Sequence, residues 1–371
     1  MRIAIDSNIF TMQKFGGVSR YLVRLSEAML RLGNEVEIHG WLHANRHLRD
    51  SPAALTRMRY IDHFPRFTRR LAHHAGDFLA NRRIDRSPPD LIHESFCHNR
   101  RVGSASTPRV CTVHDMIHEL YPEYWGPMDR TPEYRRASVT RCQAVICVSE
   151  STRTDLLRLI DLEPSKVHVI HHGFEHFEDL TGMTVADEGT VAAAAEKPFL
   201  LYVGARHGYK NFMGFLQGVA KSGLNRDIAI LAFGGGPLTS TEQERISALG
   251  FAPDQVRQLS GSDSLLRGLF LRAEAFVYPS FYEGFGLPPL EAMAAGCPVI
   301  SSNSSSMPEV IGEAAEFFDP VDQDSIASAI RNVLTDPARR SQLIAAGNRR
   351  LTNFSWDLCA SKTLEVYQSL I

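Results

Sequence analysis

The sequence predicts an α/β protein built from two doubly wound domains. Three observations carry this expectation. Short, nearly continuous apolar runs alternate with helical patterns, as strands of a parallel sheet buried on both faces would. The alternating series occurs twice. At 371 residues, the chain also exceeds what one hydrophobic core usually supports.

In the first half the strand-like runs are "IAID" (3–6), "EVEIHGWL" (35–42), "DLIHES" (90–95), "VCTVHD" (110–115), "AVICVS" (144–149) and "VHVIHHG" (167–173). The stretch "SRYLVRLSEAMLRLG" between the first two predicts a helix. Tyr21, Leu22, Leu25, Met29 and Leu32 share a face, and Gly33 stops it. The second half repeats the scheme with "FLLYVGA" (199–205), "IAILAFGGG" (228–236), "VRQLSG" (256–261), "AFVYPS" (275–280), "PVISS" (298–302) and "AEFFD" (315–319). Between the halves, residues 177–198 turn polar, then Ala-rich, and close on Pro198, which suggests an interdomain linker with about one helical turn. The expected order is a first domain over 1–176, a linker over 177–198, a second domain over 199–354 and an amphipathic helix over 355–371. The two domains are expected to face each other across a cleft, with ligands at the carboxyl ends of the strands.

Composition excludes several functions. The chain is 44% apolar and 22% charged, with a formal net charge of −2, so a nucleic-acid binder with its basic excess is not expected. The first residues, "MRIAIDSNIF", form a strand pattern with an aspartate inside it and lack a signal peptide's apolar core. No run approaches a membrane span, so a cytoplasmic protein is expected. Six scattered cysteines show no CxxC and read as reduced, buried thiols. The adjacent pairs His73–His74 and His171–His172 lack the i, i+4 spacing of a helical ligand pair, and no metal is expected.

Charge is nonetheless uneven. Residues 46–86 hold ten arginines against four aspartates, interleaved with Phe64, Phe67 and Leu71. Two readings stand: a solvated helix face or loop, or a surface for anionic lipid or a lipid-linked phosphate, with the protein peripheral on the inner face of the cytoplasmic membrane.

Glycine-bearing loops follow strands at "KFGGVSR" (14–20), "YVGARHGYKN" (202–211), "FGGGP" (233–237) and "YEGFGLPPLE" (282–291). Glycine admits close backbone approach to a phosphate, and a following helix offers free N–H groups. None of these loops is a dinucleotide fingerprint or a P-loop. Arg206 and Lys210 stand four apart, and would share a face if a helix starts there; an anion would reward two cations at that end. Taken alone the pair reads as solvated surface charge. Beside the carboxylates Glu283 and Glu291, the combination points to a nucleotide-sugar site: cations for a diphosphate, carboxylates for sugar hydroxyls.

The segment "EGFGLPPLE" resembles the signature of retaining glycosyltransferases of family 4, two glutamates separated by seven residues, in enzymes of GT-B architecture. "GGVSRY" is similar to that family's first glycine loop, "TVHDMIHE" to its histidine motif, and "EAMAAGCPV" to the segment after the glutamates. The resemblance implies two Rossmann-like domains, the first on the acceptor side and the second binding the donor. It implies that Glu283 and the amides of Gly284, Phe285 and Gly286 hold the transferred sugar. Leu287 and Gly17 would line the donor site, Glu291 would take the ribose, and Arg206 and Lys210 the diphosphate. His114 would contact the donor sugar.

The implied partners are a nucleoside-diphosphate sugar, with GDP-mannose or a GDP-deoxymannose favoured, and a glycan or lipid-linked glycan acceptor of surface polysaccharide synthesis. No cofactor or metal is implied. The family commonly has Asn-Gly-Val-Asp where this chain reads "HHGFE", so His172 and Glu175 are left outside the expected site. Two rivals remain, a nucleotide-sugar epimerase of the same architecture and a non-catalytic sugar-binding module.

Overall fold

The computed structural model describes residues 1–65, 67–174 and 184–371. The chain forms two compact units, Met1–Gly173 with Phe354–Ile371, and Phe174–Asn353. The first contains β1 (Arg2–Asp6), β2 (Glu35–His39), β3 (Leu42–His43), β4 (Arg59–Tyr60), β5 (Leu91–Glu94), β6 (Arg109–Val113), β7 (Ala144–Cys147) and β8 (Val167–Val169). The second contains β9 (Phe199–Val203), β10 (Ala229–Phe233), β11 (Val256–Leu259), β12 (Ala275–Tyr278), β13 (Val299–Ser302) and β14 (Ala315–Phe318). Each unit has a six-stranded parallel sheet, ordered β2-β1-β5-β6-β7-β8 and β11-β10-β9-β12-β13-β14. Every apolar run singled out above supplies a strand. The 35–42 run divides, because residues 40 and 41 leave the ladder and Leu42–His43 pairs instead with β4.

Burial on both faces explains the apolar runs. Along β1, Ile3 and Ile5 pack with Leu22, Leu25 and Met29 of the Gly17–Arg31 helix, whereas Ala4, on the opposite face, packs with Ala80 and Ile84 of the Arg69–Arg86 helix. Leu32 caps the first of these helices and is 44% exposed, so it is not part of the expected stripe. In the second unit, Leu200, Tyr202, Ile230 and Val277 meet Phe215, Leu216 and Val219 of the Phe212–Ser222 helix. The six cysteines are free, five of them buried.

Two stretches depart from expectation. Residues 177–198 are more than a linker with a single turn: Val185–Ala194 is a ten-residue helix, started by a reciprocal Thr184–Asp187 cap and packed on the Asp263–Arg272 helix. Residues 177–183, like Glu175, lie outside the described residues. The final helix, Trp356–Gln368, packs on Gly17–Arg31 and buries Trp356, Cys359, Leu364, Val366 and Tyr367 in the first unit's core, while Leu358 faces outward.

Candidate functional site

In the second sheet the chain runs outward from β9 to β11 and then returns to β12 on β9's other side, which puts the switch point between β9 and β12. Open parallel sheets bind ligands at the carboxyl ends of strands flanking such a point. The loops leaving β9 and β12 are the ones that carry Lys210 and Glu283. Their backbones join where the Phe281 N–H donates to the Tyr209 carbonyl at 2.8 Å. Lys210 Nζ donates to Glu283 Oε1 at 2.6 Å, and the ammonium lies 5.2 Å and 5.7 Å from the ring centres of Tyr209 and Tyr278. Burial, then the Glu283 carboxylate, push the Tyr278 phenol well above its ordinary range, so it stays a neutral donor beside that carboxylate.

The Glu283 loop is held from below. Its N–H donates to Ser305 Oγ at 2.9 Å, and the hydroxyls of Ser305 and Ser306 each donate to its carbonyl at 2.8 Å. Ser306 also reaches the Phe285 carbonyl at 3.1 Å. Gly284 and Phe285 are buried in this loop. Gly286 adopts φ 97°, a conformation that calls for glycine, and a Cβ there would also press on the flexible tip of Met307, whose Cε lies 2.7 Å away. The helix Leu287–Ala294 follows, with prolines in its first turn, where missing N–H groups cost nothing. Glu291 stands in the second turn of that helix.

Arg206 and Lys210 do not share a helix face. Gly208–Lys210 is a 3-10 turn, Asn211 takes a left-handed conformation at φ 52°, and the helix begins only at Phe212. The Asn211 side chain fixes this turn by donating to the carbonyls of Pro279 and Pro320 at 3.1 and 2.9 Å. Arg206 instead turns into the protein and is 7% exposed. Its Nε donates to Glu242 Oε1 at 2.8 Å.

In the first unit, His114 follows β6. Its ring meets Tyr21 edge-on at 5.0 Å and lies 5.4 Å from His172, which meets the same Tyr21 at 4.7 Å. Burial pushes His114 down to about 4, against the opposing pull of Asp115, so the imidazole is neutral near pH 7. Asp115 accepts from the Ile117 N–H at 3.1 Å and lies 3.6 Å from Arg135. A small cavity of about 50 Å³ adjoins His114, Asp115 and His118. Gly17 is the exposed first residue of its helix, with open space where a Cβ would sit.

Three features of these sites were not among the expected residues. His172 packs against Tyr21 and His114; only its departure from the family pattern marked it. Asp6 closes β1 at the first sheet's own switch point, between β1 and β5. It accepts from the Ser95 N–H and hydroxyl and from the Asn8 N–H, and its carboxylate lies 3.4 Å from His98. Burial opposes ionisation there, yet these donors hold Asp6 well below the usual carboxylate range. The aspartate inside the opening strand pattern was its signal. Glu242 was legible only as the fourth residue of a "TSTE" capping box.

Comparison with known proteins agrees with this architecture. The family model described as "Glycosyltransferase Family 4" matches residues 15–176, and "Glycosyl transferases group 1" matches residues 187–350. The chain is 29% identical over 286 residues to O-antigen chain mannosyltransferase B of Escherichia coli, covering 70% of each protein. It is 29% identical over 318 residues to MMP alpha-(1->4)-mannosyltransferase of Mycolicibacterium hassiacum, covering 80% of this chain and 74% of that one. Among solved structures, sucrose-phosphate synthase from Thermosynechococcus elongatus superposes with a TM-score of 0.71 over 100% of this chain and 99% of that one, at 20% identity, a likeness of fold. With both domain models matched in sequence order and each unit built on its own parallel sheet, the chain belongs to the GT-B glycosyltransferases of family 4.

Proposed function

We propose that this glycosyltransferase is a retaining hexosyltransferase that moves mannose or a deoxymannose from a guanosine-diphosphate donor to a glycan or lipid-linked glycan. The observation that carries the reading is the meeting of Lys210 and Glu283 at the switch point of the second sheet. It is supported by the two mannosyltransferase relatives, whose names supply the sugar. Lys210 neutralises the departing diphosphate, which is electrostatic stabilisation of charge that develops in the transition state. Glu283 and the amides of residues 284–286 hold the sugar's hydroxyls, and Glu291 the ribose. His114, neutral, hydrogen-bonds a sugar hydroxyl without bringing charge. The acceptor attacks from the face the diphosphate leaves, through an oxocarbenium-like state, which retains configuration. The fixed Lys210 charge takes the place a divalent metal would have.

The first unit suits an acceptor at an anionic membrane surface. Phe67, Leu71 and Phe78 are 96%, 69% and 58% exposed, and Leu71 and Phe78 share a face of the Arg69–Arg86 helix. The Arg82 guanidinium stands 5.1 Å over the Phe78 ring. Aromatic side chains among arginines fit the headgroup region of anionic lipid.

Thermal shift against a panel of nucleotide sugars tests the donor, since a ligand of the native state raises the melting temperature. GDP-mannose or a GDP-deoxymannose should give the largest shift, and transfer of labelled mannose to a lipid-linked acceptor, with the product's anomeric configuration read by NMR, should follow. Donor binding with sugar isomerisation and no transfer would favour the epimerase instead.

A further inference from the structure

A groove of about 680 Å³ runs beside β2, the edge strand of the first unit's sheet. Residues of β2 from Glu35 to His39 line it, together with Arg57 and the last turn of the Arg69–Arg86 helix. β1 and β5 separate β2 from β6, the strand that His114 follows, and none of the residues proposed to hold the donor lines the groove.

Charge in this groove is unbalanced. Arg2, at one end, is committed to the Ser87 hydroxyl at 2.6 Å and the Pro88 carbonyl at 2.8 Å, with Glu35 4.0 Å away. That leaves Arg57, Arg83 and Arg86 against the single carboxylate of Glu37, an excess of two positive charges. Arg57 is mostly exposed and approaches Glu37 only to 3.7 Å. Arg83 makes one long hydrogen bond, 3.4 Å to the Gly40 carbonyl, and Arg86 has no side-chain partner among the described residues. Between them lies His39, 9% exposed, whose buried Nδ1 has no hydrogen-bond partner among the described residues. Burial, against the pull of Glu37 and with Arg83 and Arg57, holds this imidazole below its ordinary range, so it is neutral near pH 7. A buried ring nitrogen left unpaired costs free energy, which an anion's oxygen beside it would recover with the ring as donor. Cations from two separate segments thus converge on one neutral ring without counter-ions of their own.

We propose that this groove is a second ligand site, in which Arg57, Arg83 and Arg86 hold a dianionic phosphate, either a monoester or the end of a diphosphate, and His39 donates to one of its oxygens. Guanidinium forks match phosphate geometry, and a terminal phosphate carries about −1.5 to −2 at pH 7, which balances the excess charge. A phosphodiester, with a single charge, leaves one cation uncompensated and binds more weakly. The groove's volume is that of a small-molecule site, about 300–1,000 Å³, so room remains for the group that carries the phosphate. A soluble phosphorylated ligand and a lipid headgroup ending in phosphate share this chemistry. The site is independent of the donor reading above.

Inorganic pyrophosphate titrated into the full chain, with the His39 imidazole followed by NMR, tests the site. The His39 signals should shift saturably, and Arg83→Gln and Arg86→Gln should each weaken the apparent affinity by about tenfold, the worth of a charged hydrogen bond. Arg57→Gln, on a different segment, should do the same and serves where a helix variant fails to fold. Lys210→Ala, in the other unit, should leave the His39 response unchanged. Glycerophosphoglycerol, a soluble phosphodiester, should bind more weakly than pyrophosphate. Given a His39 response, vesicles of phosphatidylcholine with phosphatidic acid separate the two sources. Co-sedimentation that is lost on combining Arg83→Gln with Arg86→Gln assigns the phosphate to a headgroup, and co-sedimentation indifferent to that change assigns it to a soluble ligand. His39 signals that ignore millimolar pyrophosphate, or that respond equally in all three arginine variants, overturn the proposal. Equal affinity for the phosphodiester overturns the dianion assignment.

Discussion

Lys210 and Glu283, 73 residues apart in sequence, form a 2.6 Å ion pair at the carboxyl ends of β9 and β12. Both side chains are mostly shielded from water, at 17% and 13% exposure, so neither charge is spent in solvent. The two groups proposed to hold opposite ends of the glycosidic linkage, the diphosphate and the sugar, therefore lie in direct contact with each other.

This pairing sharpens the expected difference between the two glutamates. Glu283→Gln should leave nucleoside-diphosphate affinity intact or tighter, because Lys210 loses its competitor, while turnover of intact donor falls. Contacts that strengthen as the glycosidic bond breaks appear in kcat. Glu291→Ala, by removing a charged hydrogen bond to ribose, should weaken the bare nucleotide by about 1–3 kcal/mol. Calorimetry beside steady-state kinetics reads both, and equal losses of nucleotide affinity in the two variants would overturn the assignment.

Acidification should destabilise the protein between about pH 6.5 and 4. His43, His73, His93 and His114 are each pushed down to about 4 by burial. In that window the unfolded chain binds protons that the folded chain refuses, so stability present above the unfolded pKa is lost as pH falls. His98 acts in the opposite sense, since burial lowers it but the Asp6 carboxylate more than compensates. Burial lowers His39, His168 and His172 as well, so seven histidines stand against one and the urea midpoint should drop from pH 7 to pH 5; a constant or rising midpoint would contradict this balance.

Removing residues 355–371 should loosen the first unit as well as shorten the chain. The helix places Trp356, Leu364 and Tyr367 in the same core as Ile3, Leu22 and Val36. Tyr367 also hydrogen-bonds buried His93, whose other ring nitrogen meets Thr112 at 3.0 Å. Large-to-nothing changes in a core usually cost about 3–5 kcal/mol per aromatic side chain. Hydrogen exchange should quicken in β1 and β5, and an unaltered pattern there would refute the dependence.

Vesicle co-sedimentation tests the membrane surface. Phe67→Asp with Leu71→Asp should abolish binding to anionic vesicles, Arg69→Ala should weaken it, and salt should reduce it through screening. Arg66 lies outside the described residues, as does the Arg70 side chain, and both belong in the same arginine series. Vesicle binding that survives all of these changes would make the stretch a solvated face.

Local chemistry made the strands, the glycine loops and the two glutamates legible from residues alone. A parallel strand buried on both faces must be apolar throughout, and a loop that bends as sharply as residues 282–291 needs Gly286 and a proline-started helix whatever surrounds it. The partners of the charges were not legible, because they are set by which strands lie side by side. Lys210 finds Glu283 only because β12 returns to pair with β9. Arg206, four residues from Lys210 and expected to point the same way, is drawn to Glu242 by β10 on the opposite side of β9, while left-handed Asn211 delays the helix that would have aligned the two cations. Helical spacing reports neighbours within about one turn. Pairing across 36 or 73 residues is decided by sheet order, and by the cost of leaving a buried charge without its counterpart.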